Sequence, residues 1–275
     1  MENRGEKEKM RGTIREFASK SAVDLFDIVK YARWRLLVRQ KYQPVVENKY
    51  GIEVGGPSAL FKTVMPVYQF VGGLDGVNFS TDTVWEGRIK PGENFNYGDN
   101  KSGRQFISEA TDLSEIATAR YDFLLSSNCL EHVANPIKAL TEWRRVIKPG
   151  GGLILVLPKR ESNFDHQRPV TKFEHLLDDF TQDVGEDDLT HLDEILALHD
   201  LSMDPAAGDL EHFRQRSLKN FENRTLHHHV FDVPLIEGML DHVGFETVDM
   251  TTTETDFFAL ATKNLEAASH PNSHA

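Results

Sequence analysis

The sequence is poor in the features that define several kinds of protein. Its 275 residues include one cysteine, Cys129, so no internal disulfide can form, which fits a reducing, cytoplasmic setting. No run of 18 or more apolar residues occurs, so a transmembrane helix is not expected. The stretch from Met1 to Arg15 is charged and lacks an apolar core, unlike a secretory signal. Basic residues are outnumbered: 31 Lys and Arg against 43 Asp and Glu give a formal net charge of −12. That excludes a generic nucleic-acid binder, which needs a basic surface. There is no internal repeat and no His-Glu-x-x-His. What remains, 39% hydrophobic and 27% charged residues, suits a folded globular chain with room for one large domain and an insertion.

Periodicity divides the chain. Residues 1–48 read as an N-terminal helical segment, with helices near Ile14–Ser19 and Val23–Tyr42; in the second, Leu25, Ile28, Ala32 and Leu36 share one face. Residues 49–265 read as the main domain. Gly51–Val54 is a short strand running into Gly55-Gly56-Pro57-Ser58, with a helix expected after the capping Ser58. Val67–Val71 is a second strand candidate, and residues 72–105 give no clear assignment. Tyr121–Ser126 is a strand. Pro136–Ile147 is a helix capped by Asn135, with Ile137, Leu140, Trp143 and Ile147 as its apolar stripe. Gly152–Leu157 is a continuously apolar strand, the mark of a central parallel position. A helix near Pro234–Val243 and strands Phe245–Met250 and Phe257–Thr262 close the domain. The tail 266–275 is small and polar. Strand–helix alternation predicts an α/β fold with a parallel sheet covered on both faces, binding its ligand at the carboxyl ends of the strands.

Two segments carry chemistry. In Glu53-Val54-Gly55-Gly56-Pro57-Ser58 a carboxylate ends a strand, the glycines allow close backbone approach, and free amides at a helix start favour an anionic group. The second runs from Tyr121-Asp122 through Leu130-Glu131-His132 and Asn135-Pro136 to Arg145-Val146-Ile147-Lys148-Pro149-Gly150-Gly151. It resembles the region after strand 4 and through strand 5 of class I S-adenosylmethionine-dependent methyltransferases, notably the ubiquinone- and menaquinone-biosynthesis subgroup (methyltransferase type 11). The resemblance implies a Rossmann-like sheet and S-adenosyl-L-methionine as cofactor. It implies that Glu53, Gly55 and Gly56, with Pro57 and Ser58 completing the turn, hold the methionine moiety. It also implies that Glu109 and Ala110 contact adenine and that Asn128 lines the reacting methyl. Asp75 is expected as the ribose-binding acid, with Asn78 as its substitute. Pro57 and Ala59 stand where that family has later glycines. The chain is also similar to a narrower group marked by Gly-Gly-Pro-Ser, by Asn163-Phe164-Asp165-His166 and by Leu226-His227-His228-His229-Val230-Phe231-Asp232, some of whose members accompany glycan-building enzymes.

Residues 159–230 form an insertion after strand 5 that the resemblance does not explain. It holds eight of the twelve histidines and sixteen carboxylates, and its position predicts an acceptor pocket or lid. A histidine there could act as general base, several could bind a metal, or they could pair structurally. His228 or His229, with His166, are the expected catalytic residues; no metal site is assigned. The expected activity is methyl transfer to an oxygen or nitrogen of a small-molecule or glycan-precursor acceptor. The alternatives are a catalytically silent binding scaffold, for which Pro57 speaks, and a metal-dependent hydrolase or lyase.

Overall fold

A computed structural model describes residues 32–265. The chain divides into two units, Met1–Pro44 and Val45–Ala275. In the first, residues 32–37 are helical and continue as a π-helical turn, Val38–Tyr42. Ala32 and Leu36, expected on the buried stripe, are exposed, while Val38 and Tyr42 are buried. Leu25, Ile28, the helix Ile14–Ser19 and the tail from residue 266 lie outside the described residues.

The second unit is built on an eight-stranded sheet. Its central strands are β1 (Tyr50–Val54), β2 (Gly73–Asn78), β7 (Tyr121–Ser127) and β8 (Ile147–Pro158). The remaining members are β5 (Gly92–Gly98), β6 (Lys101–Ile107), β9 (Phe245–Thr252) and β10 (Asp256–Lys263). Two short strands, β3 (Asp82–Thr83) and β4 (Gly87–Arg88), pair as a separate hairpin. The sheet order is β5-β6-β2-β1-β7-β8-β10-β9. Strands β6, β2, β1, β7 and β8 are parallel; β10 runs antiparallel to β8 and β9, and β5 antiparallel to β6. From β1 the chain moves outward to β2 and β6, then returns to the opposite side of β1 as β7. The order reverses between β1 and β7, and that switch opens a crevice at their carboxyl ends. The Rossmann-like α/β architecture expected from the sequence is present.

The strand expected at Val67–Val71 is absent. Phe70 N–H donates to Val67 O in a turn, and Val71 makes a single bridge to Glu47. The second strand is instead the glycine-rich β2. A Cβ on Gly76 would lie 2.1 Å from the Phe95 ring, and one on Gly73 2.5 Å from the Tyr50 ring. Neighbouring rings fill the volume that β-branched side chains occupy in an ordinary strand. After Ser58 the expected helix shrinks to one π turn, Leu60–Val64, with Leu60 N–H donating to Ser58 Oγ at 3.1 Å.

Helix α1 (Pro136–Val146) follows β7 as its sequence dictates: Asn135 Oδ1 accepts from Lys138 N–H at 3.0 Å and Pro136 occupies the first turn. Ile137, Leu140, Trp143 and Val146 are fully buried on one face, each removing roughly 2 kcal/mol of apolar surface from water. The helix also braces the segment that precedes β7. Trp143 Nε1–H donates to Ala110 O at 3.0 Å, Arg145 Nη2 donates to Leu113 O at 2.7 Å, and Glu142 Oε2 accepts from Leu113 N–H at 3.0 Å.

The insertion folds as α2 (Phe173–Thr181), α3 (Leu192–Leu198) and α4 (Leu210–Ser217), and the chain then extends through residues 225–232 into α5 (Val233–His242). Its own core is small: Ile195, Ala207, Phe213 and Leu226. Fully buried Arg168 ties the extended segment down, donating to Asp165 Oδ1 (3.0 Å), Glu194 Oε1 (2.9 Å), His227 O (2.8 Å) and His228 O (3.1 Å). Among the described residues, no helix is long and apolar enough to cross a membrane.

Candidate active site

A cavity of about 540 Å³ lies at the carboxyl edge of the sheet, within the range of small-molecule sites. The ends of β1, β2, β7 and β8 supply its floor through Val54, Val77, Ser127 and Pro158. Of the residues expected to hold the cofactor, Gly55, Pro57, Ser58 and Asn78 line it from one side, and Glu109, Ala110 and Asn128 from the others.

The turn after β1 is built from beneath. Glu53 is fully buried, its Oε1 accepting from Ser58 N–H at 3.0 Å and its Oε2 from the Tyr68 hydroxyl at 2.5 Å. A Cβ on Gly56 would stand 2.2 Å from the Glu53 carboxyl carbon. Gly56 is therefore glycine because the carboxyl lies under it, and neither residue is among those that line the cavity. Gly55 has φ +83°, and a Cβ there would approach Cys129 Sγ to 2.7 Å. Two of the amides expected to be free at this turn are spent: Gly55 N–H goes to Val77 O at 2.9 Å, and Ser58 N–H goes to Glu53 Oε1 and the Tyr68 hydroxyl. Burial outweighs the donors around Glu53 and pushes its carboxyl up to about 8.

Asp75, the expected ribose acid, does not reach the cavity. It is fully buried in mid-strand, where Oδ1 accepts from Tyr50 Oη–H (2.7 Å) and Arg104 N–H (2.9 Å) and Oδ2 from Tyr121 Oη–H (2.7 Å). Its place at the third residue of β2 puts it three residues short of the carboxyl end. Asn78 is the residue at that end, and its Nδ2–H donates to Gly56 O at 2.7 Å.

A residue of the insertion closes the Glu109 side. Arg224, itself lining the cavity, is 2.8 Å from Glu109 and 2.7 Å from Glu186, with its guanidinium carbon 5.1 Å from the centre of the Phe79 ring. Burial pushes Glu186 up to about 7 and raises Glu109, in both cases against the pull of Arg224.

The cavity wall also carries acid–base groups. Glu131, His132 and His227 all line the cavity, and one ligand atom from each lies within 4.8 Å of the others. Glu131 Oε2 is buried without a partner, as is Ser127 Oγ beside it on the cavity floor. Burial pushes the Glu131 carboxyl up to about 7, with His227 pulling it down. His227 Nδ1 meets Asp165 Oδ2 at 2.5 Å, which leaves Nε2 as its second ring nitrogen. Burial pulls His227 down, but the Asp165 carboxylate outweighs it and leaves the imidazole above its ordinary value. His132 Nδ1 is 3.0 Å from Leu226 O, a pure acceptor, so Nδ1 carries the proton and Nε2 is the acceptor.

None of the three expected catalytic histidines lines this cavity. His166 Nε2 is held by Asp200 Oδ2 at 2.9 Å. His228 is buried, accepts from Asn220 Nδ2–H at 3.0 Å, and burial pushes it down to about 3. His229 is buried against Asp179 Oδ2 at 3.1 Å. The residue in reach is His227, first of the run, and its partner Asp165 comes from the Asn-Phe-Asp-His segment. Both stood in recognisable motifs, but only the fold tells which of three adjacent histidines faces inward.

Residues 92–155 match the family model described as a methyltransferase domain. No curated protein matches the chain. Similar solved structures include a SAM-dependent methyltransferase from Methanosarcina mazei, with 16% identity, TM-score 0.46, and 80% of this chain and 94% of that one covered. Another is from Aquifex aeolicus, with 14% identity, TM-score 0.45, and coverage of 81% and 86%. A third is the Burkholderia thailandensis 1,6-didemethyltoxoflavin-N1-methyltransferase with bound 1,6-didemethyltoxoflavin and S-adenosylhomocysteine, with 11% identity, TM-score 0.46, and coverage of 94% and 90%. The expectations of a methyltransferase and of S-adenosylmethionine as its methyl donor are borne out by the family match. The cavity fits that donor: a turn that only glycine can make at Gly55, and two buried polar atoms without partners, Ser127 Oγ and Glu131 Oε2, on its wall.

Proposed function

We propose that this chain methylates an oxygen or nitrogen of a small molecule or glycan precursor, and that Glu131 accepts the proton released there. The methyl donor supplies an activated methyl group on a sulfonium, so the protein needs to align the acceptor and take its proton. Gly55, Pro57, Ser58, Asn78, Asn128 and the Glu109–Ala110 segment would hold the donor. The single observation that carries the proposal is the unpartnered Glu131 Oε2 on the wall of the cavity that the glycine turn also lines. A carboxyl pushed up to about 7 is matched to proton transfer near neutral pH. His227, oriented by Asp165, and His132, oriented by Leu226 O, present ring nitrogens beside it and would fix the acceptor's polar group. The finer family placement we infer is the Gly-Gly-Pro-Ser and His-His-His group, on the motifs that supply Pro57, Asp165 and His227.

The test begins with calorimetry of S-adenosylhomocysteine. The wild-type chain is expected to bind it, and Glu131→Gln to bind it within about threefold. Release of S-adenosylhomocysteine is then followed across a panel of hydroxyl- and amine-bearing sugar nucleotides and small molecules. An active acceptor is expected to react on the order of 10²-fold more slowly with Glu131→Gln. Absence of any binding favours the scaffold reading, and an undiminished rate removes Glu131 from the reaction.

A further inference from the structure

We propose that His175, Asp179, His191 and His229 form a tetrahedral binding site for one zinc ion that staples the insertion. The four side chains each offer one ligand atom, and all four atoms lie within 4.8 Å of one another. Three of the separations are short: His175 Nε2 to His191 Nε2 is 3.0 Å, His229 Nε2 to Asp179 Oδ2 is 3.1 Å, and His175 Nε2 to Asp179 Oδ2 is 3.4 Å. Zinc bonds of about 2.0–2.1 Å in a tetrahedron require ligand atoms about 3.3 Å apart along each edge. The cluster is already near that size.

Hydrogen bonding alone serves the cluster poorly. His175 Nε2 faces both an imidazole nitrogen and a carboxylate oxygen, yet a neutral ring carries one proton for one of them. A cation among the four groups would use the lone pairs that now face each other. Three nitrogens and one carboxylate are a ligand set zinc accepts, and a site filled by four protein ligands is a structural rather than a catalytic one.

The placement also suits a staple. His175 and Asp179 are one turn apart on α2 and share a face, His191 immediately precedes α3, and His229 comes from the extended segment that leads into α5. Three pieces of chain distant in sequence meet there. The insertion's own apolar core is four residues, and a unit with so small a core gains most from a metal. His229 stands two residues from His227, so the ion would fix the backbone that delivers His227 to the cavity. His175 and His191 are partly exposed while Asp179 and His229 are buried, which leaves a route for the metal from solvent.

The test uses the untagged full-length chain, dialysed against excess zinc and then freed of loose metal. Mass spectrometry of the metal content is expected to find zinc stoichiometric with the chain. The double variant His175→Ala/His191→Ala is expected to lose it, while His132→Ala/His227→Ala, which alters the cavity cluster, keeps it. Cobalt(II) substituted into the wild-type chain is expected to show the intense visible bands of tetrahedral coordination. Zinc far below stoichiometry, zinc retained by the first double variant, or zinc lost with the second overturns the proposal. Should the first variant fail to fold, the cobalt spectrum decides: the weak bands of six-coordinate cobalt reject the site.

Discussion

Replacing Glu53 by Gln changes how stability depends on pH, and the size follows from the site. The Glu53 carboxyl is fully buried beneath the glycine turn, and burial lifts it from 4.5 to about 8 despite donors from Tyr68 and Ser58. The unfolded chain releases this proton near 4.5, whereas the folded chain keeps it until about 8. Between those values the folded state binds the extra proton, so stability falls as pH rises. A tenfold change in proton affinity is worth about 1.4 kcal/mol. The ceiling is therefore about 5 kcal/mol, and relaxation around the anion reduces it to something on the order of 2–4 kcal/mol. Glutamine keeps an acceptor oxygen for one of the two donors and cannot ionise. Urea unfolding at about pH 5, 6, 7 and 8 reads the effect. Wild type is expected to lose stability relative to Glu53→Gln steadily across that range. Glu131 and Glu186, both lifted to about 7, tilt the two curves alike, so the difference isolates Glu53. Parallel curves would refute the assignment of a buried, proton-retaining carboxyl.

Other substitutions separate the site from its supports. Arg224→Met leaves buried Glu186 and half-buried Glu109 without their shared cation, and is expected to cost about 3–5 kcal/mol and to weaken S-adenosylhomocysteine binding, by urea unfolding and calorimetry respectively. Asp75→Ala removes the acceptor of two tyrosine hydroxyls and one amide; stability is expected to fall by about 2–4 kcal/mol while cofactor affinity in the folded protein stays unchanged. His166→Ala breaks one half-exposed contact with Asp200, and turnover of an identified acceptor is expected to stay within about twofold of wild type.

The sequence was most legible where local rules and tertiary demands agreed. Helix α1 begins at an Asn-Pro cap and buries Ile137, Leu140 and Trp143 as expected, while Ile147, expected as the last of the stripe, is extended and opens β8. The segments Phe123–Leu125 of β7 and Leu153–Leu157 of β8 are continuously apolar and buried because both faces are covered. The second strand was missed for the opposite reason. Its glycines carry no strand signal, since the rings of Tyr50 and Phe95, remote in sequence, occupy the missing side-chain volume. Asp75 carried the right chemistry for a ribose contact and stood three residues too early along β2 for it.

By itself the amino-acid sequence determined the strand–helix–strand run β7–α1–β8, the glycine turn after β1 and the methyltransferase character of the segment after β7, because each is written in contiguous residues. Tertiary structure alone decided which charges serve the cavity. Glu53 sinks beneath the turn while Glu131 stays on the wall, and His227 faces the cavity while His228 and His229 are buried elsewhere. The physical reason is that burial and partnering depend on groups far away in the chain, such as Tyr68, Asp165 and Arg168, and no spacing along a single segment records them.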